Sequence, residues 1–552
     1  MAKSKEWTCT GDPPGSHDPH VNKYSTCDVC GKPRSDSGGE KTKDSSLMKA
    51  ILGGLGVLAV LGGGTAAFIM TQQPEEPGPE ESVTVEPTNT SSAGASGNVS
   101  TTPAVSGPMC APVAASTTDI SQAKRISQGE KVLLTNRVSS DKANGTVALQ
   151  AQAWDKAIAE FTNAKDADRN DPESRIYYNN ARACKQGKPI TIAVVAPVTP
   201  APEIAQEILR GVAQYQEEYN QNPANSQELM EVVIVDAVNS GMIPGLAKVL
   251  VDAQQVSGVV GHGVDATTQV ALDIYKQGGL PALTPLTTEV TDSQRQGPST
   301  IKLVPPGSTQ TLSEYVNGVG QSLAEYVSKT LPRERTVVFY NSDNAYGQKI
   351  KDAYEAANAS RNGTVFAQGI DVAKPGFNPA AALADAQAGG SKIILLALSG
   401  ERMPEAIAIG QANQALGTPM LMLGADELYN SRVLLQGEAA MDGLVLAVPW
   451  SADSDKPFVV GSDPGWKGRI SWRTSIAYDA TKGLMSALKN GASRQAALTS
   501  LQGGEAIFGA ATASDTLDRL PLVRVVKSDG QAPLGIPEGA KYRFDPLFQS
   551  SP

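Results

Sequence analysis

A two-lobed α/β fold, each lobe a doubly wound parallel sheet, is predicted for residues 188–552. Three observations carry the prediction. Apolar, β-branched runs alternate with amphipathic runs, which is the pattern of parallel strands covered by helices on both faces. The alternation stops after "STIKLVPP" and then restarts, so there are two such blocks. Each strand-like run is followed by a short loop carrying hydroxyls, a carboxylate or an aromatic ring.

The elements follow in order. "PITIAVVAPV" reads as a buried strand and "PEIAQEILRGVAQYQEEYN" as an amphipathic helix. "MEVVIVDA", "GLAKVLVDAQ", "VSGVVG", "DATTQVALDIYKQ" and "LPALTPL" continue the first block. The second block runs from "LSEYVNGVGQSLAEYVSKT" and "RTVVFYNS" through "YGQKIKDAYEAA", "TVFAQGIDV", "AAALADAQ" and "KIILLAL" to "MPEAIAIGQANQAL" and "PMLMLGAD". Lobe 1 is placed at about 188–308 plus a later return segment, and lobe 2 at about 309–445. Ligands of such folds sit outside the carboxyl ends of the strands, so two facing lobes enclose a cleft.

Four regions precede this domain. Residues 1–46 are polar and hold Cys9, Cys27 and Cys30 with His17 and His20. Residues 47–70 end in "AILGGLGVLAVLGGGTAAFIM", 21 residues without a charge, long enough for a transmembrane helix. A cleavable signal is the competing reading, but the polar stretch ahead of the run is far longer than a signal's n-region. Eight Lys and Arg precede the span and the next is Lys124, which puts the N-terminus in the cytoplasm and the remainder outside the cell membrane. Ala59, Gly63 and Ala67 are spaced for helix–helix dimerisation. Residues 71–118 are rich in Pro, Ser, Thr, Gly and Glu and read as a disordered linker. Residues 119–187 are helical: Trp154, Ala157, Ile158 and Phe161 make one face, and Asp171-Pro172 opens a second helix. The pair resembles a tetratricopeptide-type hairpin, expected here as a small helical domain on the tether.

The net charge of −10 argues against nucleic acid as partner of the main domain. Only three histidines exist, and His262 has no nucleophile in its own motif. It is expected to be a satisfied polar residue at a strand end, and the chain is expected not to be an enzyme.

The loops "GHGVDATTQ", "TPLTTE", "YNSDNAYG", "LSGERMPE", "LGADEL" and "VPW" offer what a small polar ligand needs. Together with "ILRGVAQYQEEYN", "GLPALTPLTTE" and "SIAYDATKGLMSALKNGAS", they resemble the leucine/isoleucine/valine-type periplasmic solute-binding proteins of ABC importers, over about residues 188–525. The resemblance implies the type 1 periplasmic-binding-protein fold. It also implies that Asp265, Leu286 and Thr288 stand where the ligand's α-carboxylate binds, with Thr267 and Thr287 beside them. Tyr346 matches the tyrosine that closes over the ligand, and Asp426 matches the acid that pairs with the α-ammonium. Trp450 is added from its place at a strand end. Two positions depart from the family. The counterpart of a second-lobe tyrosine falls near Arg402–Met403. Asp265 replaces a hydroxyl, so it either caps the following helix, meets an ammonium or amide group, or marks an altered pocket.

The N-terminal cluster is chemistry of a different kind. Thiolates and an imidazole suit tetrahedral zinc, and C-x-x-C is the usual half-site. The expected ligands are Cys9, His20, Cys27 and Cys30, in a module resembling a RanBP2-type zinc ribbon with a histidine in place of the second cysteine. No cofactor is expected in the two-lobed domain. Cys110 and Cys184 fall on the oxidising side and are candidates for one disulfide.

The function expected from these features is capture of an amino acid or related solute by hinge closure, for delivery to an ABC permease. Two alternatives remain: a receptor that signals to the cytoplasmic ribbon, and a degenerate binding fold used for protein contacts.

Overall fold

The structure is a computed structural model that describes residues 7–9, 20–22, 110–237, 241–262, 266–284, 300–301, 312–451, 466, 470–489, 493–502, 520–528 and 539–547. Among the described residues no helix is long and apolar enough to cross a membrane. The apolar run at 50–70, with Ala59, Gly63 and Ala67, lies outside them, as do Cys27, Cys30 and residues 71–109 of the linker.

At the N-terminus two strands, β1 (Trp7–Cys9) and β2 (His20–Asn22), pair antiparallel. The register sets Cys9 opposite His20.

Lobe 1 is built on β3 (Ile126–Ser127), β4 (Ile190–Ala196), β5 (Met230–Asp236), β6 (Val256–Gly261), β7 (Ala282–Leu283) and β8 (Thr300–Ile301). Their order in the sheet is β3-β5-β4-β6-β7-β8. Every pair is parallel except the edge pair of β3 with β5. Strands β4, β5 and β6 are buried along their whole length, as their unbroken apolar runs require in a sheet covered on both faces.

Preceding and covering this sheet are α1 (Ser140–Gln150), α2 (Trp154–Ala167) and α3 (Pro172–Gln186). The two helices foreseen in the sequence are α2 and α3. Asp171 caps α3 by accepting from the Glu173 amide, with Pro172 in the first turn. These helices do not stand apart on the linker. Phe161, Ile176, Tyr177 and Ala181 belong to the same core as Ile192, Ile208 and Val232 of lobe 1. The small helical domain expected at 119–187 is therefore an outer layer of lobe 1. The joint is fixed again where Cys110 and Cys184 form a disulfide, the pairing left open by the sequence.

The helices of lobe 1 are α4 (Pro202–Gln221), α5 (Ile243–Asp252) and α6 (Ala266–Gln277). Lobe 2 begins with α7 (Leu312–Thr330), followed by β9 (Arg335–Tyr340), α8 (Ala345–Ala359), β10 (Thr364–Asp371) and α9 (Pro379–Ala388). Then come β11 (Ser391–Ala397), α10 (Met403–Gln414), β12 (Leu421–Ala425) and β13 (Val445–Ala447). The chain returns to lobe 1 with α11 (Trp472–Leu488) and α12 (Arg494–Gln502). α11 lies so close to α4 that a Cβ on Gly211 would come within 2.1 Å of the Thr474 carbonyl oxygen. Arg494 on α12 donates to the Leu250, Val251, Ala253 and Val256 carbonyls, closing the C-terminal end of α5.

The chain then goes back to lobe 2, beyond the boundary of 445 read from the sequence. There β14 (Leu522–Lys527) and β15 (Tyr542–Leu547) add antiparallel to β13. The lobe 2 order is β10-β9-β11-β12-β13-β14-β15. Each lobe thus holds five parallel strands in the doubly wound order, second-first-third-fourth-fifth.

Candidate functional site

The carboxyl ends of β9, β11 and β12 in lobe 2 carry the site. Asn341, just past β9, is fully buried and ties two of these ends together. Its Nδ2 donates to Asp343 Oδ1 at 2.7 Å and to Ser399 Oγ at 3.2 Å, and its Oδ1 accepts from the Ser399 amide at 3.1 Å. Asn344 then caps α8 by accepting from the Tyr346 amide at 2.8 Å. Gly347 lets the helix start here, since a Cβ would meet Asn341 Oδ1 at 2.6 Å and the Ala397 carbonyl at 2.7 Å.

This local geometry aims Tyr346 across the ends of the strands. Its hydroxyl donates to Asp426 Oδ1 at 2.5 Å, and so does the hydroxyl of Tyr315 from α7, also at 2.5 Å. Asp426 directly follows β12 and is 3% exposed. Burial raises its carboxyl above the usual range, against the pull of the two phenols and of the Arg473 guanidinium. Burial likewise pushes Glu427 up to about 7, opposed by Arg473 and reinforced by Asp426. Both tyrosines are raised by burial and by the carboxylate they face, so they remain donors.

Arg473, at the start of α11, joins this cluster to lobe 1. Its Nη1 donates to the Tyr429 carbonyl at 2.9 Å and to Glu207 Oε2 on α4 at 3.2 Å. Its Nη2 donates to the Asp426 carbonyl at 3.4 Å and lies 4.0 Å from Glu427 Oε1. The guanidinium stacks over the Trp472 ring at 4.4 Å.

Of the residues expected to hold ligand, the structure brings Tyr346 and Asp426 into direct contact with each other. Trp450 is buried three residues beyond the end of β13. Thr267 lies in the first turn of α6, and nothing further is described of its side chain. Asp265, Leu286, Thr287 and Thr288 lie outside the described residues. Arg402, near the counterpart of a family tyrosine, is tied to Asp343 and, at 2.9 Å, to Glu405. His262 is buried at the end of β6, where its Nε2 meets the Tyr275 hydroxyl at 2.9 Å. Its φ of 72° is unusual for a residue with a Cβ. This is the satisfied strand-end residue expected from the sequence.

Sequence reasoning missed Tyr315, Glu427, Arg473 and Glu207. Glu427 had a signal, being adjacent to Asp426 in "GADEL". Arg473 had none, because a lone arginine opening a helix usually faces water.

Residues 189–459 match a family model described as periplasmic binding protein. A leucine binding protein from Thermotoga maritima is 18% identical, with a TM-score of 0.51 over 64% of this chain and 97% of that one. A substrate-binding protein of an ABC transporter from Sphaerobacter thermophilus is 16% identical, with a TM-score of 0.52 over 65% of this chain and 97% of that one. A branched-chain amino acid transporter substrate binding protein from Streptococcus pneumoniae, solved with isoleucine, is 16% identical, with a TM-score of 0.50 over 65% and 100%. A Pseudomonas aeruginosa amino acid binding protein is 25% identical over 169 residues, 30% of this chain. That match spans 42% of the relative's length. Residues 189–459 thus match the periplasmic binding protein family, and the chain carries the two-lobed α/β fold of the type 1 periplasmic binding proteins.

Proposed function

We propose that the chain is a membrane-anchored, extracytoplasmic solute-binding protein of an ABC-type importer. It captures an amino acid or related small polar solute by closure of its two lobes. The observation that carries the reading is the buried carboxylate of Asp426 at the end of β12, held by Tyr346 and Tyr315 where it can receive an ammonium group. Thr267, Leu286, Thr287 and Thr288 supply the carboxylate side from lobe 1, Asp265 beside them caps the helix or meets an ammonium or amide group, and Trp450 supplies an aromatic wall. No bond is made or broken. The anchor is the run at 50–70, with the N-terminus in the cytoplasm.

The N-terminal module holds zinc through Cys9, His20, Cys27 and Cys30 in this reading. The Cys9–His20 register supports it, because it sets two of the four ligands opposite one another. Metal analysis of the intact chain gives one zinc per chain, lost in Cys27→Ser; zinc retained by that variant removes the assignment.

A second reading, sensing without transport, draws support from the disulfide. It ties the end of the linker to the outer helices of lobe 1, so a movement of that lobe reaches residue 110 directly. Thermal unfolding against amino acids, amides and polyamines tests binding, since a true ligand raises the midpoint by mass action. Solute uptake in a deletion strain then separates the two readings. Reduced uptake supports the importer, and unchanged uptake supports the sensor.

A further inference from the structure

We propose that a cavity of about 240 Å³ between α4 and the segment after β12 is a second ligand site, one that takes a small zwitterion with an apolar body. None of the eight residues assigned to the first site lines it.

One wall is charged and belongs to lobe 1. Glu203, Gln206, Glu207 and Arg210 lie at spacings of three and four on α4 and therefore share one face. Glu207 and Arg210 are one turn apart, with Cβ atoms about 5–6 Å from each other, so opposite charges stand side by side on the wall, as a zwitterion requires. Both are held in place. Glu207 Oε2 accepts from Ser471 Oγ at 2.9 Å and from Arg473 Nη1 at 3.2 Å. Gln206 Oε1 accepts from Arg210 Nη2 at 3.4 Å and from Arg137 Nε at 2.6 Å. Glu203 has no hydrogen bond or ion pair among the described residues and adds a second acceptor for an ammonium.

The facing wall is apolar and belongs to lobe 2. Tyr429 stacks on Phe544 with ring centroids 4.2 Å apart, and Leu434 completes the surface. Ser431 Oγ, also lining the space, has no hydrogen-bond partner among the described residues. A space of this size, polar on one side and aromatic on the other, is the form of a small-ligand pocket. A zwitterion satisfies both walls: carboxylate on Arg210, ammonium on Glu207 and Glu203, and apolar body against Tyr429, Phe544 and Leu434.

The two sites share one guanidinium. Arg473 bonds Glu207 and the Tyr429 carbonyl on the cavity side and the Asp426 carbonyl on the other. A ligand in the cavity touches both lobes, so it favours their closed arrangement and is linked to occupancy at Asp426.

Calorimetric titration of the full chain tests this with L-phenylalanine and L-leucine as probes. The companions are 2-phenylethylamine and 3-phenylpropionate, each lacking one charge. The proposal expects at least one amino acid to bind and both single-charge analogues to bind about tenfold more weakly or worse. Glu203→Gln and the cavity-filling Ser431→Trp each lower the affinity about tenfold, with thermal midpoints without probe kept near that of the parent. Asp426→Asn retains one bound probe per chain. The proposal is overturned if neither amino acid binds, if Glu203→Gln and Ser431→Trp bind as the parent does, or if Asp426→Asn loses all binding.

Discussion

Three carboxylates, those of Glu207, Asp426 and Glu427, surround the buried guanidinium of Arg473. Burial raises the carboxyls of Asp426 and Glu427 against the pull of this one cation. Glu427 is pushed up to about 7 from the 4.5 of a free glutamate. The folded chain therefore holds a proton between these values that the unfolded chain has released. Stability from this group is present below about pH 4.5 and is lost as pH rises toward 7, by up to about 3 kcal/mol. Urea unfolding across this window should show that decline, and Glu427→Gln should flatten it. Identical pH profiles for the two proteins would remove Glu427 as its source. At this scale the sequence was half legible. Tyr346 and Asp426 could be read because each follows an apolar strand in a loop of recognisable composition. The charge balance around them could not, because burial of Arg473 depends on α4 and α11 meeting across the interior.

At the scale of elements, the outer helices show what holds a charged segment against lobe 1. Lys142 on α1 is fully buried, with Nζ 2.8 Å from Asp171 Oδ2 and 2.6 Å from Glu173 Oε2. Glu173 also accepts from the Leu133 and Leu134 amides and from the Tyr177 hydroxyl. Lys142→Met leaves two buried carboxylates without their cation and should cost about 3–5 kcal/mol in denaturant unfolding. A cost under about 1 kcal/mol would show that water, not Lys142, balances them. The helices α2 and α3 were legible from their periodicity and from Asp171-Pro172. Helix α1 was not, because "SDKANGTVALQ" has no regular apolar stripe and buries Lys142, Gly145 and Thr146 along with Ala148 and Leu149.

At the scale of the two-lobed domain, the chain leaves lobe 1 for lobe 2, returns as α11 and α12, and leaves again as β14 and β15. The parallel cores were legible, because strand–helix alternation forces them. The antiparallel pair β14–β15 was not, since neither run is buried on both faces. The disulfide adds a covalent constraint across 74 residues of sequence. Chain-entropy arguments value such a loop at about 4 kcal/mol, so Cys110→Ser with Cys184→Ser should lower stability by about that amount. Equal unfolding midpoints with and without reductant would contradict this.

The central claim is that the carboxylate of Asp426 receives the ammonium of a captured amino acid. Calorimetric titration of the intact chain with the amino acid that most raises its thermal midpoint, repeated on Asp426→Asn, tests it most directly. The substitution keeps the shape of the side chain and removes its charge. The account predicts saturable binding by the parent and, in the variant, a loss of at least about a hundredfold at the Asp426 site, leaving only what the cavity beside α4 binds, since an ion pair buried between two lobes loses about 3 kcal/mol or more when one partner is neutralised. Equal affinity in the two proteins would contradict it.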